Sequence, residues 1–348
     1  MSGFRAYITG MGLITPVGLN TDQSCAAIRA GVSAYDESEI HNKRFEPMTM
    51  ALLPDDALPP VAKALQNVPG LTSRRRRMLR LAAPALEELS GSFDASTPLP
   101  LFLGGPLTEP CKPAAMDEDF LKQLTLQTDL EFDPTLSKVF PRGRASTLLA
   151  LQAALMCLAQ GAHQHVLLGG VDTYLDLMLL GTLDQEDRIL ASGIMDGFAP
   201  GEAAGFFVLS REQNTEGTGL AVYPPGVASE DGHRGSDAPY TGDGLSNAAK
   251  AALPGANGQP ISTVFSSMNG ENLHAKEWGV TLARSGPAFT PDVTLEHPAD
   301  CVGDTGAACG AVLLALAATG LRDRAVVSPT MIYCSSDGPE RVAVCVSS

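Results

Sequence analysis

The chain has 348 residues, with 24 Lys+Arg against 39 Asp+Glu, for a formal net charge of −15. Hydrophobic residues make up 44% and charged residues 18%, a globular rather than a disordered balance. The acidity argues against a nucleic-acid surface, which needs a basic stripe. At roughly 100–200 residues per domain, the length predicts two domains or two halves of one large fold. The seven cysteines (Cys25, Cys111, Cys157, Cys301, Cys309, Cys334 and Cys345) are odd in number and none has CxxC spacing. Neither a disulfide framework nor a zinc ribbon is expected. The opening MSGFRAYITGMG has no signal-peptide core. The longest apolar stretch, 307–321, has 15 residues, and a membrane helix needs about 20. The expectation is a soluble cytoplasmic protein.

In chain order, RAYITG (5–10) predicts a short buried strand ending in Gly10, and 21–30 a helix closed by Gly31. Residues 32–72 read as an irregular excursion. Arg74, Arg75, Arg76, Arg77 and Arg80 open a helix over 74–90, whose apolar face holds Met78, Leu79, Leu81, Leu86 and Leu89. The arginines read as the solvated face of the helix start, the alternative being an acidic or phosphate-bearing partner. LPLFLGG (99–105) predicts a strand and a glycine turn, and 106–140 is loop-rich with a short helix near 118–124. Residues 145–160 are apolar nearly all round, the mark of a helix central to a core, with Gly161 as its C-cap. Strands follow at 165–168, ending in Gly169-Gly170, and at 205–209. Residues 212–219 read as a linker. The second half repeats this grammar: strand character in AVYPPGV, a helical piece at 247–252, a strand at 262–265, a small-residue helix at 306–321 and a strand at 341–346. Strands alternating with buried helices imply an α/β sheet covered on both faces. The expected halves are 1–212 and 213–348.

Three segments are more specific: ITGMGLITPVG (8–18); GGVD (169–172) followed by DGFAPGEAAGFFVLS (196–210); and GDTGAACGAVLLALA (303–317). In this order and spacing they resemble the β-ketoacyl synthase branch of the thiolase-like superfamily, over nearly the whole chain. The resemblance implies two pseudo-symmetric halves in a layered α/β/α/β/α arrangement. It also implies a nucleophilic Cys at the N-terminus of the central helix, where the helix dipole favours a thiolate. Two histidines would assist decarboxylation and stabilise an enolate oxygen, beside a backbone oxyanion hole.

Residue by residue, the resemblance carries the nucleophile position onto Arg144 in RGRAST (142–147). The first histidine position falls on Asn269 in SSMNGENLHAKEWG (266–279), or on Ser267 if the gap falls differently, with His274 near but out of register. The second falls on Asp304 in GDTGAACG, and the family's lysine on Ala299. CSSDGPER (334–341) replaces a Gly- and Phe-rich loop. The expectation is a catalytically degenerate protein, a binding, accessory or scaffold subunit. It would resemble either a chain-length factor beside a ketosynthase or an accessory of a secretion cluster. The alternative is a working acyltransferase of the 3-oxoacyl-[acyl-carrier-protein] synthase type, with Cys301 or Cys309 as an unconventional nucleophile. Both cysteines also read as small apolar packing.

A cation at a helix N-terminus is disfavoured by the dipole, and a buried Arg needs a partner. Asp304 is therefore the expected partner of Arg144, in an ion pair that plugs the pocket. Glu202 and Asp196 read as structural ties rather than as acid–base carboxylates. Asn269-Gly270-Glu271 is either a ligand contact or a plain turn. His297, Asp300 and Asp304 match no metal-ligand spacing. No cofactor or metal is expected, and no role falls to His163 or His165. The expected partners are a second copy through the first half, a ketosynthase, an acyl carrier protein or an accessory protein, with neither nucleic acid nor membrane.

Overall fold

A computed structural model describes residues 4–108, 114–213 and 219–348. Cys111, the first three residues and most of the predicted linker 212–219 lie outside the described residues. The first half contains β1 (Ala6–Ile14), α1 (Thr21–Arg29), β2 (Asp36–His41), β3 (Pro47–Met50), α2 (Ser73–Glu87), β4 (Leu101–Gly105), α3 (Glu118–Thr128), β5 (Lys138–Pro141), α4 (Ser146–Gln160), β6 (His165–Thr173), α5 (Leu177–Gln185) and β7 (Glu202–Ser210). The second contains β8 (Leu220–Val222), β9 (Gly226–Ser229), α6 (Asp243–Ala252), β10 (Ile261–Ser266), α7 (Asn272–Ser285), β11 (Phe289–Glu296), α8 (Ala299–Val302), α9 (Cys309–Arg322), β12 (Thr330–Ser335) and β13 (Glu340–Ser347).

Strand order repeats. One half runs β5-β4-β6-β7-β1 and the other β11-β10-β12-β13-β8, and the two join where β1 pairs with β8. The directions repeat as well. β4 is parallel to β5 and β6, while β7 is antiparallel to β6 and β1. β10 is parallel to β11 and β12, while β13 is antiparallel to β12 and β8. α4 and α9 hold matching places in the chain: α4 follows the edge strand β5 and precedes β6, and α9 follows the edge strand β11 and precedes β12.

Side-chain alternation explains the layers, because successive residues of a strand face opposite sides of the sheet. On β7, Phe207 and Leu209 join the core around α4 and α9, whereas Phe206 and Val208 join the core under α2 and α3. On β13, Val342, Val344 and Val346 face α4 and α9, whereas Ala343 and Cys345 face α6. The result is helix, sheet, helix, sheet, helix, with α4 and α9 in the middle layer. Cys309–Leu321 of α9 is buried on every side, as an apolar helix between two sheets must be. Gly161 caps α4 with φ +85°, a conformation that favours glycine.

Several readings need correction. Residues 32–72 are not merely irregular, since β2 and β3 form a hairpin there. β1 does not stop at Gly10 but continues to Ile14. β5, β11, β12, α5, α7 and α8 had no clear periodic signal. The arginine run is not solvated either. Arg75 and Arg77 are each 8% exposed. Arg74 bonds Asp172 at 2.8 Å, Arg75 pairs with Asp117, Arg77 with Glu202, and Arg80 with Asp55 at 2.6 Å. α2 lies across β6, β7 and β1, so its first turns meet carboxylates at the ends of β6 and β7, which offset the unfavourable dipole. Among the described residues no helix is long and apolar enough to cross a membrane.

Candidate functional site

The centre of the site is the approach to α4. After β5 the chain makes a 3-10 turn, Gly143–Ala145, that places Arg144 just before the buried helix. Nearby, GDTG (303–306) leads into α9. Its backbone is locked to FAPGE: Asp304 N–H donates to Ala199 O at 2.8 Å, and Gly201 N–H donates to Asp304 O at 2.9 Å. The approach is close enough that a Cβ on Gly201 would stand 2.3 Å from Val302 O. Two of the three sequence motifs are therefore one structural joint.

That joint aims Asp304 at Arg144. Arg144 Nε donates to Asp304 Oδ2 at 2.6 Å, and both residues are 3% exposed. The expected ion pair is present in the structure. Asn269, at the end of the β10 segment, donates through Nδ2 to the same Oδ2 at 2.8 Å, and Gly306 N–H donates to Oδ1 at 2.8 Å. Asp304 thus caps the turn before α9 while it neutralises the cation before α4. Arg144, Asn269 and Asp304, predicted from three distant segments, meet at one carboxylate.

The assembly is larger than the pair. Arg144 Nη1 also donates to Asp337 at 2.7 Å. Arg188 grips Glu271 with two bonds, 2.8 and 2.9 Å, and reaches Asp337 at 2.8 Å. Arg234 donates to Glu271 at 2.6 Å. Three guanidiniums face three carboxylates, and Phe198 lies under two of them, its ring centroid 5.8 Å from Arg144 and 5.4 Å from Arg188, a cation–π arrangement. Burial works against the Glu271 carboxylate, but Arg188, Arg144 and Arg234 outweigh it and hold its pKa at about 2. Burial likewise opposes Asp337, and Arg144 and Arg188 hold it far below the usual carboxylate range. Arg144 stays charged despite its burial, because Asp304 and Asp337 favour the cation.

The other sequence candidates fall as follows. His274, one turn beyond Glu271 on α7, is buried beside this assembly, with Nε2 3.9 Å from Glu271 Oε2. Burial and then the Arg144 charge push its pKa down to about 4. Ser267 instead accepts from Ser335 N–H at 2.9 Å, and Ala299 opens α8, where its carbonyl accepts from Tyr35. Cys309 starts α9 and touches a small void behind Asn269 and Asp304. Cys301 lines a separate cleft with Ile28, Phe265 and His297, and burial followed by Asp300 pushes its thiol pKa up, the wrong direction for a nucleophile. His297 meets Asp300 at 3.1 Å, but Asp304 faces Arg144 instead, so the three do not form one site. Glu271, His274 and Asp337 do bring donor atoms within 4.8 Å of one another, yet both carboxylates are already engaged by guanidiniums.

Glu202 is fully buried. It accepts from Arg77, from Thr173 Oγ1 at 2.7 Å and from Leu53 N–H at 2.8 Å. Asp196 is exposed and accepts from Asn272 N–H at 2.7 Å. Sequence reasoning missed Arg188 and Arg234, which sit alone in polar segments and carry no motif. Asp337 and Glu271 lay inside stretches singled out for other reasons.

Beside the charged assembly opens a cleft of about 600 Å³. Arg144, Arg188, Arg234 and Asp337 form one side, and Leu107, Leu179 and Leu183 contribute apolar wall.

No family model and no curated protein matches the chain. Solved structures do. The ishigamide ketosynthase/chain length factor is 15% identical with a TM-score of 0.76, covering 99% of this chain and 99% of that one. A ketosynthase from module 6 of the bacillaene synthase of Bacillus subtilis 168 is 14% identical with a TM-score of 0.73, covering 99% of this chain and 72% of that one. A ketosynthase in complex with its chain length factor, from Xenorhabdus doucetiae, is 14% identical with a TM-score of 0.70, covering 99% and 98%. The chain therefore has the thiolase-like fold of ketosynthases and chain length factors. At this identity the likeness establishes the fold, and function must be argued from the site.

Proposed function

We propose that this chain is a ketosynthase-like accessory or scaffold subunit that does not carry out Cys-His-His condensation. One observation carries the reading. The residues that the resemblance places at the nucleophile and the two histidines are Arg144, Asn269 and Asp304, and the first two both donate to the Asp304 carboxylate. A guanidinium held by two carboxylates is neither an acyl acceptor nor a general base. The geometry of Cys301 and Cys309 gives no support to a relocated nucleophile, because one lies in a different cleft and the other behind Asn269.

The partner is a second copy of the chain, a ketosynthase, an acyl carrier protein or another accessory protein. Support comes from the neighbours, among which are a ketosynthase with its chain length factor and an acyl carrier protein in complex with its ketosynthase. α5 also presents Leu177 and Met178 to solvent, 71% and 75% exposed, beside the charged cleft. We take 1–212 and 213–348 as the two halves and the cytoplasm as the setting.

The test is intact-protein mass after incubation with acyl-coenzyme A and acyl-carrier-protein thioesters, with an active ketosynthase as control. No adduct is expected while the control is labelled. A stoichiometric adduct on one cysteine, lost in Cys301→Ala or Cys309→Ala, would overturn the proposal and restore the acyltransferase reading.

A further inference from the structure

The three carboxylates of the arginine assembly are not equivalent. The side chains of Asp304 and Glu271 are 1% and 3% exposed, whereas that of Asp337 is 28% exposed and lines the cleft. Glu271 follows β10 and Asp304 follows α8, both in the body of the fold. Asp337 comes from the short turn between β12 and β13, and its two oxygens each receive a guanidinium, Arg144 Nη1 at 2.7 Å and Arg188 Nη1 at 2.8 Å, with Arg234 Nε 3.9 Å away. Two atoms of this arginine set, Arg144 Nη2 and Arg234 Nε, are buried without a hydrogen-bond partner, an arrangement with unused donor capacity.

We propose that the Asp337 carboxylate occupies an anion-binding position, and that the adjoining cleft admits the carboxylate of a small organic acid in its place. With Asp337 swung out, three guanidiniums face only two buried carboxylates. The one other acid paired with them among the described residues, Glu186, is half-exposed and 3.7 Å from Arg188, so the buried group carries an excess of one positive charge. A monoanion restores neutrality, while a phosphate dianion overshoots it. A planar carboxylate also reproduces the two-oxygen contact that Asp337 makes, which suits paired guanidiniums. Leu107, Leu179 and Leu183 offer apolar wall for a short hydrocarbon remainder, and a cleft of about 600 Å³ is within the size range of small-molecule sites. Because Asp337 is tethered, it competes at an effective concentration on the order of millimolar, so the intact protein binds such acids weakly. The inference stands whether or not the chain retains acyl transfer.

Calorimetric titration and thermal shift of the full chain test it, with hexanoate, hexanamide and inorganic phosphate at constant ionic strength. Hexanoate is expected to raise the melting temperature of the intact protein saturably while hexanamide does not. Asp337→Asn should bind hexanoate at least about ten-fold more tightly than the intact protein, by removal of the competing anion. Adding Arg234→Gln to that variant should cancel most of the gain. If Asp337→Asn fails to fold, the hexanoate–hexanamide contrast on the intact protein decides alone. Equal responses to acid and amide, or no gain in a folded Asp337→Asn, would overturn the site. Phosphate binding as tightly as hexanoate would overturn its assignment to organic carboxylates.

Discussion

Glu202 and Asp304 are both buried carboxylates facing an arginine, yet they do different work. Glu202 takes Arg77, the Thr173 hydroxyl and the Leu53 N–H. All of these belong to the first half, and both oxygens are satisfied. Asp304 takes Arg144 from the first half and Asn269 and Gly306 from the second, and Arg144 passes the connection on to Asp337. The first assembly closes on itself, and the second ties two halves together beside an open cleft. The same charge pairing is therefore a local fastening in one place and a shared junction in the other. Connectivity, not the pair, separates them.

The strongest way to break this comparison is to remove each carboxylate. Asp304→Ala and Glu202→Ala each take the most buried carboxylate from a buried guanidinium, leaving Asp337 as the only carboxylate hydrogen-bonded to Arg144 and the exposed Asp55 as the only one hydrogen-bonded to Arg77. Each should cost about 3 kcal/mol, read by denaturant unfolding. Replacing Arg144 and Asp304 together with Met and Leu should recover most of the Asp304→Ala loss, since an apolar pair leaves no stranded charge. If the double replacement is no better than the single one, the junction has a role beyond pairing.

Acid sharpens the comparison further. His274 is buried neutral with a pKa of about 4, against about 6.5 when unfolded. The unfolded chain therefore binds more protons between these values, and stability falls as pH drops from about 6.5 to 4, by about 3 kcal/mol in total. Glu271, at about 2, adds a loss in a lower window, from about 4.3 downward. Unfolding curves at pH 7, 5 and 4 should show the first loss, and His274→Gln should flatten it. An unchanged slope in that variant would assign the acid sensitivity elsewhere.

The smallest expected effect lies at the rim. The Arg234 side chain is 33% exposed while that of Arg188 is 5% exposed, and both hold Glu271. Arg234→Gln should cost about 1 kcal/mol or less, in the range of exposed pairs. Arg188→Gln should cost about 3 kcal/mol or more, in the range of broken buried pairs. Equal losses would mean that Glu271 depends on both arginines alike.

Much of this molecule was legible in order of appearance. α4 and α9 announced themselves by apolar residues on every face, and Gly161 by its place after the last apolar turn. The pairing of Arg144 with Asp304 followed from electrostatics once a resemblance had put the two positions in one pocket. The arginine run misled, because sequence does not tell which carboxylates a helix start will meet. Asp172 and Glu202 are remote from that run in sequence and reach it only through the packing of α2 on the sheet. α7 was obscured because its core-facing side includes His274 and Glu277, polar residues that read as solvent-facing in the chain, whereas in the fold Glu277 is buried against Arg341 and His274 beside the arginine assembly.

By itself, the sequence determined an α/β fold with buried central helices, because local periodicity and helix-end chemistry are written in neighbouring residues, and the family resemblance singled out Arg144, Asn269 and Asp304 as positions to examine together. The tertiary structure alone decided that Arg188, Arg234, Glu271 and Asp337 join those positions, and that Cys301 does not. Charge pairing inside a protein is set by distance through space, and these partners lie between 83 and 193 residues apart along the chain in the Arg188–Glu271 and Arg144–Asp337 contacts.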